Sequence, residues 1–317
     1  MAPTGIHPWV EAARDGVRFG VQMVASEPFA AIAEHVKRYE EFGFDSFWLA
    51  DHPVVGVDPF VTLAGIARET TRIRLGVMVA CVAYRHPALV ARHAADVDRI
   101  SEGRFVLGLG SGDLPREFAA LGFNYASPAE RTRRLEDALA VVSPLLNGQS
   151  ADLESEFFDV HLAALPAPPV QTPRMPLLVA GGGRRTLGLV AQHADACNLG
   201  AVSWAGGAYS LEDLRARLDT LRDACDRAGR AYDSILRTGL AAPVIARDRS
   251  EAQRMVEMIP AERRPFLGDL FIPGSANEVA EALNDMISVG IQYLVLLFLA
   301  PQMADVFAQT VLPQLRR

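Results

Sequence analysis

The sequence of 317 residues predicts a (β/α)8 TIM barrel with insertions. Apolar runs and amphipathic stretches alternate through eight β-α units, which suits a parallel sheet closed into a barrel. Glycine-rich ends follow several of the runs. A doubly wound sheet, the competing α/β layout, would rarely need eight evenly spaced units. No stretch reads as an interdomain linker, so residues 18–317 are expected to form a single domain behind an N-terminal extension at 1–17.

The units follow in order. Arg18 to Val24 reads as the first strand, and Pro28 to Phe42 as a helix that opens on proline and stops at Gly43. Phe44 to Leu49 is a second strand running into Asp51-His52-Pro53, followed by a helix from Pro59 to Glu69. Ile73 to Ala80 is the third strand, and Pro87 opens the next helix. Phe105 to Leu109 is a short continuous apolar run, the signature of a strand buried on both faces, and it ends in Gly110-Ser111-Gly112-Asp113. Arg131 to Leu146 is an amphipathic helix. Residues 148–175 carry Pro166, Pro168, Pro169 and Pro173 without helical period and read as an excursion with a hairpin around Phe157 to Leu162. Leu177 to Ala180 is the fifth strand, ending in Gly181-Gly182-Gly183 and a helix to His193. Asp195 to Leu199, Ile235 to Ala246 and Tyr293 to Leu299 supply strands six to eight. Helices are expected around Leu211 to Cys225, Ser250 to Met258 and Ala276 to Ser288, with a loop-like insertion from Pro260 to Pro273.

Composition narrows the function. Half of the residues are hydrophobic and 22% are charged, an ordinary balance for a soluble globular chain. A net charge of −7 argues against broad nucleic-acid binding. Cys81, Cys197 and Cys225 are too sparse for a disulfide framework and fit a reducing cytoplasm. The start lacks a signal-peptide core, and the longest apolar run is too short to span a bilayer.

In a barrel the carboxyl ends of all strands meet on one face, where such enzymes keep their chemistry. There the sequence gathers one imidazole, two carboxylates and two glycine-rich turns. His52 can carry a proton near neutrality or serve as a hydrogen-bonded structural residue. Asp51 beside it can face the site or turn away to hold the loop. Asp113 is either an acid/base group or the solvated end of a tight turn. The glycines ending the fourth strand allow backbone freedom and leave N–H groups open to a ligand. The Gly181 to Gly183 turn reads as a plain turn or as an anion seat, with the following helix N-terminus and Arg184 and Arg185 adding positive charge. Arg85-His86-Pro87 reads as a structural helix start, and no metal-ligand spacing is present.

Several stretches together resemble the luciferase-like monooxygenase superfamily of flavin- and deazaflavin-dependent barrels. They are FGFDSFWLADH at 42–52, RIRLGVMV at 72–79, YRHPALVARHAADVDRISEGRFVLGLGSG at 84–112 and REFAALGF at 116–123. ERTRRLEDAL at 130–139, PLLVAGGGRRTLGLVAQHAD at 176–195 and the run at 274–296 complete them in the expected order. The resemblance implies a redox enzyme with coenzyme F420 or FMN at the carboxyl end of the barrel and a small or medium organic substrate. The pairing of His52 with Asp51 and the compact chain favour coenzyme F420 and hydride transfer. An FMN monooxygenase fed by a reductase and a non-catalytic flavin-binding barrel are the alternatives. The resemblance implies that His52 and Asp113 are catalytic, His52 at the ring and substrate and Asp113 at the ring proton. Asp51, Met78, Val79, Cys81, Ser111 and Gly112 would then line the cofactor, and Ala180, Gly181, Gly182 and Gly183 would hold its phosphate. Met78-Val79 aligns with a non-proline cis peptide of the deazaflavin members. Asp113 stands where sugar-phosphate dehydrogenases of that branch carry glutamate. The family also implies a homodimer. The substrate pocket is expected to be shaped by 148–175, by 202–209 with Trp204, and by 260–273.

Overall fold

A computed structural model describes residues 5–199, 210–259 and 270–315 of the chain. Eight parallel strands form the barrel: β1 (Arg18–Met23), β2 (Ser46–Leu49), β3 (Arg74–Cys81), β4 (Phe105–Gly110), β7 (Leu177–Ala180), β8 (Ala196–Asn198), β9 (Leu236–Ile245) and β11 (Tyr293–Leu297). They neighbour one another in that order, β11 returns to β1, and the pairing of β8 with β9 completes the ring. The expected (β/α)8 fold is therefore the observed one. β5 (Ala151–Glu154) and β6 (Asp159–Leu162) form the antiparallel hairpin of the excursion.

Helices α2 (Phe29–Glu41), α3 (Pro59–Glu69), α4 (Pro87–Ile100), α5 (Pro115–Leu121), α6 (Pro128–Leu146), α7 (Arg184–His193), α8 (Leu211–Ala228) and α9 (Arg249–Glu257) follow the strands. α10 (Ala276–Ser288), α11 (Met303–Thr310) and α12 (Leu312–Leu315) end the chain. A capping side chain followed by proline opens α3, α4 and α6, at Asp58-Pro59, His86-Pro87 and Ser127-Pro128. The cap satisfies a first-turn N–H, and proline has none to lose.

The strands are buried on both faces, and two cores result. The larger lies between strands and helices. The smaller fills the barrel with Trp48, Val106, Leu178, Ala196, Leu236, Tyr293 and Val295. Gly76 of β3 makes room for the largest of these, since a Cβ there would stand 2.3 Å from two ring carbons of Trp48. A short helix, α1 (Pro8–Ala12), caps this core from the N-terminal extension. The Trp9 ring sits 6.2 Å from Trp48 and 5.7 Å from Tyr293.

Three elements depart from the sequence reading: the short helices α1 and α5, which it did not name, and one strand. Phe271–Gly274, expected within a loop, is a parallel strand (β10) paired with the second half of β9. Pro273 and Gly274 look like turn punctuation, yet proline is tolerated at a sheet margin where its missing N–H costs no ladder bond.

Candidate active site

The carboxyl ends of the strands open into a cleft of about 1020 Å³. Asp51, His52, Met78, Val79, Cys81, Ser111, Gly112, Asp113, Ala180, Gly181 and Gly183 all line it. Gly182 is outside its lining; its carbonyl oxygen accepts a 2.8 Å hydrogen bond from Arg217 Nη1. No residue of 148–175 lines the cleft either, contrary to the expected pocket role of that excursion. The segment is tied elsewhere: Asp98 on α4 accepts hydrogen bonds from the backbone N–H of Val170 and Gln171 at 2.8 and 3.2 Å. The stretches 202–209, with Trp204, and 260–269 lie outside the described residues.

At the end of β2 the two neighbours part company. Asp51 accepts hydrogen bonds on Oδ2 from the Cys81 backbone N–H at 3.1 Å and from Arg85 Nη1 at 2.6 Å. Arg85 reaches on to Asp58 Oδ2 at 2.7 Å, so one guanidinium ties the β2 and β3 loops together. Asp51 thus holds the loop while lining the cleft. This gives Arg85 its structural task, while His86 accepts from the Ala88 N–H at the start of α4.

His52 instead turns toward α5. Its Nδ1 lies 3.0 Å from Glu117 Oε2, and the Tyr84 hydroxyl donates to the same oxygen at 3.2 Å. Glu117 is almost completely buried, at 1% side-chain exposure, and its Oε1 meets no hydrogen-bond partner among the described residues. Burial pulls the imidazole pKa down. The hydrogen bond to Glu117 and the charges of Asp113, Glu117 and Asp51 outweigh it and hold His52 above its ordinary value of 6.5. Burial pushes the Cys81 thiol up to about 12, which keeps it neutral and a poor nucleophile.

In the sequence Tyr84 stands at the carboxyl face without an assigned role, and Glu117 went unremarked as a site residue. A signal exists: Leu114, Glu117, Phe118 and Leu121 are spaced i, i+3, i+4, i+7, which puts a carboxylate on the apolar stripe of a short helix. Glu117 and Phe118 are indeed its buried residues.

The β3–β4 wall is closely fitted. The Met78–Val79 peptide bond is cis, as the resemblance implied, and the register with β4 skips between Val77 and Ala80. Gln22 Nε2 donates to the Met78 carbonyl at 2.6 Å, leaving its buried Oε1 unpartnered. A Cβ on Gly108 would lie 2.3 Å from the Val77 carbonyl oxygen, and one on Gly110 would lie 2.5 Å from Val79 Cγ2. These two glycines therefore serve close packing of β3 against β4. Backbone freedom, the reading from sequence, applies to Gly112, whose φ is +81°.

At the end of β7, Gly183 caps α7 without a side chain on its open N–H groups, and Thr186 of the first turn lines the cleft. Arg184 and Arg185 do not add their charge there. Both are exposed and outside the lining, and Arg185 pairs with Glu136 at 2.5 Å. Successive helix residues turn by about 100°, so Thr186 facing inward sends those two outward. The cations that do line the cleft are Arg116 and Arg131. Arg131 is buried, its guanidinium stacks 4.1 Å over the Tyr125 ring, Nη1 donates to the Ala126 carbonyl at 2.7 Å, and Nε has no partner among the described residues.

A family model described as luciferase-like monooxygenase matches residues 15–286. Over 203 residues, 61% of this chain, the sequence is 31% identical to 4-hydroxyprotoasukamycin monooxygenase of Streptomyces nodosus subsp. asukaensis. Over 224 residues, 68% of this chain, it is 30% identical to F420-dependent glucose-6-phosphate dehydrogenase of Kineococcus radiotolerans. The matches span 53% and 64% of those relatives' own lengths. The coenzyme F420 dependent tetrahydromethanopterin reductase of Methanopyrus kandleri superimposes with a TM-score of 0.78 at 20% identity, covering 95% of this chain and 100% of that one. With the barrel closed and most of its length matched, this chain belongs to the luciferase-like monooxygenase family, an oxidoreductase fold built around the cleft described above.

Proposed function

We propose that the chain is a coenzyme F420-dependent oxidoreductase that transfers a hydride between the deazaflavin and a small or medium organic substrate. The observation that carries this reading is His52 at the mouth of the cleft, backed by the buried Glu117 carboxylate. Interconverting an alcohol and a carbonyl moves a hydride at carbon and a proton at oxygen. An imidazole held above pKa 6.5 is suited to carry that proton.

The chain's residues fit an elongated ligand with a ring at one end and an anion at the other. Gln22 Oε1, buried and unpartnered, is a spare acceptor for a ring N–H on the Met78-Val79 wall. Ser111 and Gly112 extend that wall, with Asp51 and the neutral Cys81 beneath it, and Asp113 at the β4 end is assigned the ring proton. Gly181, Gly183 and the α7 N-terminus would receive a phosphate, with Ala180 and Gly182 shaping the turn and the positive charge coming from Arg131. Bound there, a deazaflavin supplies or accepts a hydride.

An absorbance titration with coenzyme F420 and FMN side by side tests the reading. Coenzyme F420 should bind, and Arg131→Ala should weaken binding by roughly 10-fold or more, the loss of one charged hydrogen bond. His52→Ala should lower turnover about 10²–10⁴-fold with little change in cofactor affinity. Tight FMN binding without affinity for coenzyme F420 overturns it. Oxygen consumption with reduced FMN would then support monooxygenase chemistry, in keeping with the 31% identical monooxygenase relative.

A further inference from the structure

We propose that Glu117 is the positioning residue for His52, fixing the imidazole hydrogen on Nδ1 so that Nε2 is the nitrogen presented to the cleft. The inference deepens the reading that His52 carries the substrate proton. A resemblance at the level of sequence pairs His52 with its neighbour Asp51. The structure divides the labour otherwise, because Asp51 is taken up by Arg85 and the Cys81 N–H. The carboxylate that touches the imidazole comes from α5, 65 residues further along.

The geometry is specific. Glu117 Oε2 already accepts from the Tyr84 hydroxyl, so the Nδ1 that faces it at 3.0 Å is assigned as the donor. Nε2 has no hydrogen-bond partner among the described residues, and His52 keeps 23% side-chain exposure along the cleft lining. The neutral ring then offers a bare Nε2 as base, and the protonated ring offers Nε2–H as acid. Glu117 is itself held. Tyr84 donates to the same oxygen, and the Tyr84 ring packs against Phe118 at 5.2 Å and Phe123 at 5.7 Å. Among the described residues no donor meets Oε1, and the imidazole and the phenol are the carboxylate's side-chain partners.

The charged groups around His52 are Asp51 with its partner Arg85, Asp113 at the end of β4, and Glu117 on α5. Tyr84 and Cys81 are both pushed upward, chiefly by burial, and stay neutral near pH 7. Of the three carboxylates, Glu117 is the one in hydrogen-bond contact with the ring.

The test is a ¹⁵N NMR pH titration of the cofactor-free chain, with the His52 signals assigned by their loss in His52→Gln. In the wild type, neutral His52 should carry its hydrogen on Nδ1 and titrate above 6.5. Glu117→Gln keeps a carbonyl oxygen for Nδ1–H but removes the charge. It should retain the tautomer and lower the midpoint by about one unit. Glu117→Ala should lose both, giving a mixed or Nε2–H ring. Wild-type His52 with its hydrogen on Nε2, or a midpoint and tautomer unchanged in both variants, overturns the proposal. The wild-type tautomer decides the matter alone should a variant fail to fold. A chain that binds no coenzyme F420 refutes the proposed function and leaves this result standing.

Discussion

Gly110→Ala should destabilise the barrel through one contact, with Val79. The new Cβ would stand 2.5 Å from Val79 Cγ2, about 0.9 Å inside the 3.4 Å at which ordinary contact begins. Val79 is β-branched and stiff at χ1, so it yields only by moving its strand. Overpacking of this kind costs about 1–3 kcal/mol. At about 2.1 cal/mol/K per residue, unfolding 317 residues carries an entropy near 0.7 kcal/mol/K, so Tm should fall by about 1.5–4.5 °C. Val79→Ala in the same chain removes the obstructing methyls, and the double-mutant cycle should return a coupling of about 1–3 kcal/mol. Gly108→Ala is the control. Its Cβ would meet the Val77 backbone carbonyl at 2.3 Å, which no side-chain change relieves. It would also meet Val79 Cγ1 at 2.9 Å, so the substitution should cost about 3 kcal/mol or more, with only partial rescue by Val79→Ala. Thermal and urea unfolding of the three single and two double variants measure this. Equal losses for Gly110→Ala with and without Val79→Ala would refute the packing account and return the β4 glycines to a ligand role.

Arg85→Ala should cost about 3 kcal/mol in urea unfolding, because it strands the Asp51 carboxylate at 1% exposure, and Asp51→Asn in the same chain should recover part of the loss. Stability should also fall on both sides of mild acidity. The folded-state pKa of His52 is raised, so its contribution is full below about pH 6.5 and is lost as pH rises through the folded value. Asp58 runs the other way. Burial raises its pKa, but the hydrogen bond from the Val61 N–H and those from Arg85 and Phe60 outweigh it and leave it depressed. Its contribution is present above its ordinary 3.8 and disappears as pH falls through the lowered value. Unfolding midpoints across this range should lose their neutral-side slope in His52→Gln; an unchanged slope would count against the assignment.

The barrel was legible because its signal is local and repeated. Runs such as Phe105–Leu109 can bury both faces only inside a covered parallel sheet, and proline marks where α3 and α4 begin, while α6 starts at Pro128, three residues before the expected Arg131. Strand ends also announced the cleft, since closure of the ring sends Asp51, His52, Asp113 and the Gly181 turn to one face. β10 was hidden because Pro273 and Gly274 belong to a strand only through their neighbour β9. The cleft's cations were misread for a related reason: Arg184 and Arg185 adjoin the glycines in sequence but lie outside the lining, whereas Arg116 and Arg131 line it.

By itself, then, the sequence determined the eight strands of the barrel and the face on which their carboxyl ends gather Asp51, His52 and Asp113. Periodicity, caps and side-chain pKa are properties of short stretches. Only the tertiary structure decided which carboxylate meets His52, why Gly108 and Gly110 are glycine, and which arginines line the cleft. Each depends on contacts between residues distant in the chain: Glu117 with His52, Val79 with Gly110, and α6 brought beside the β7 turn. Hydrogen bonds and close packing act over a few ångströms of space, and chain order does not encode which residues will share them.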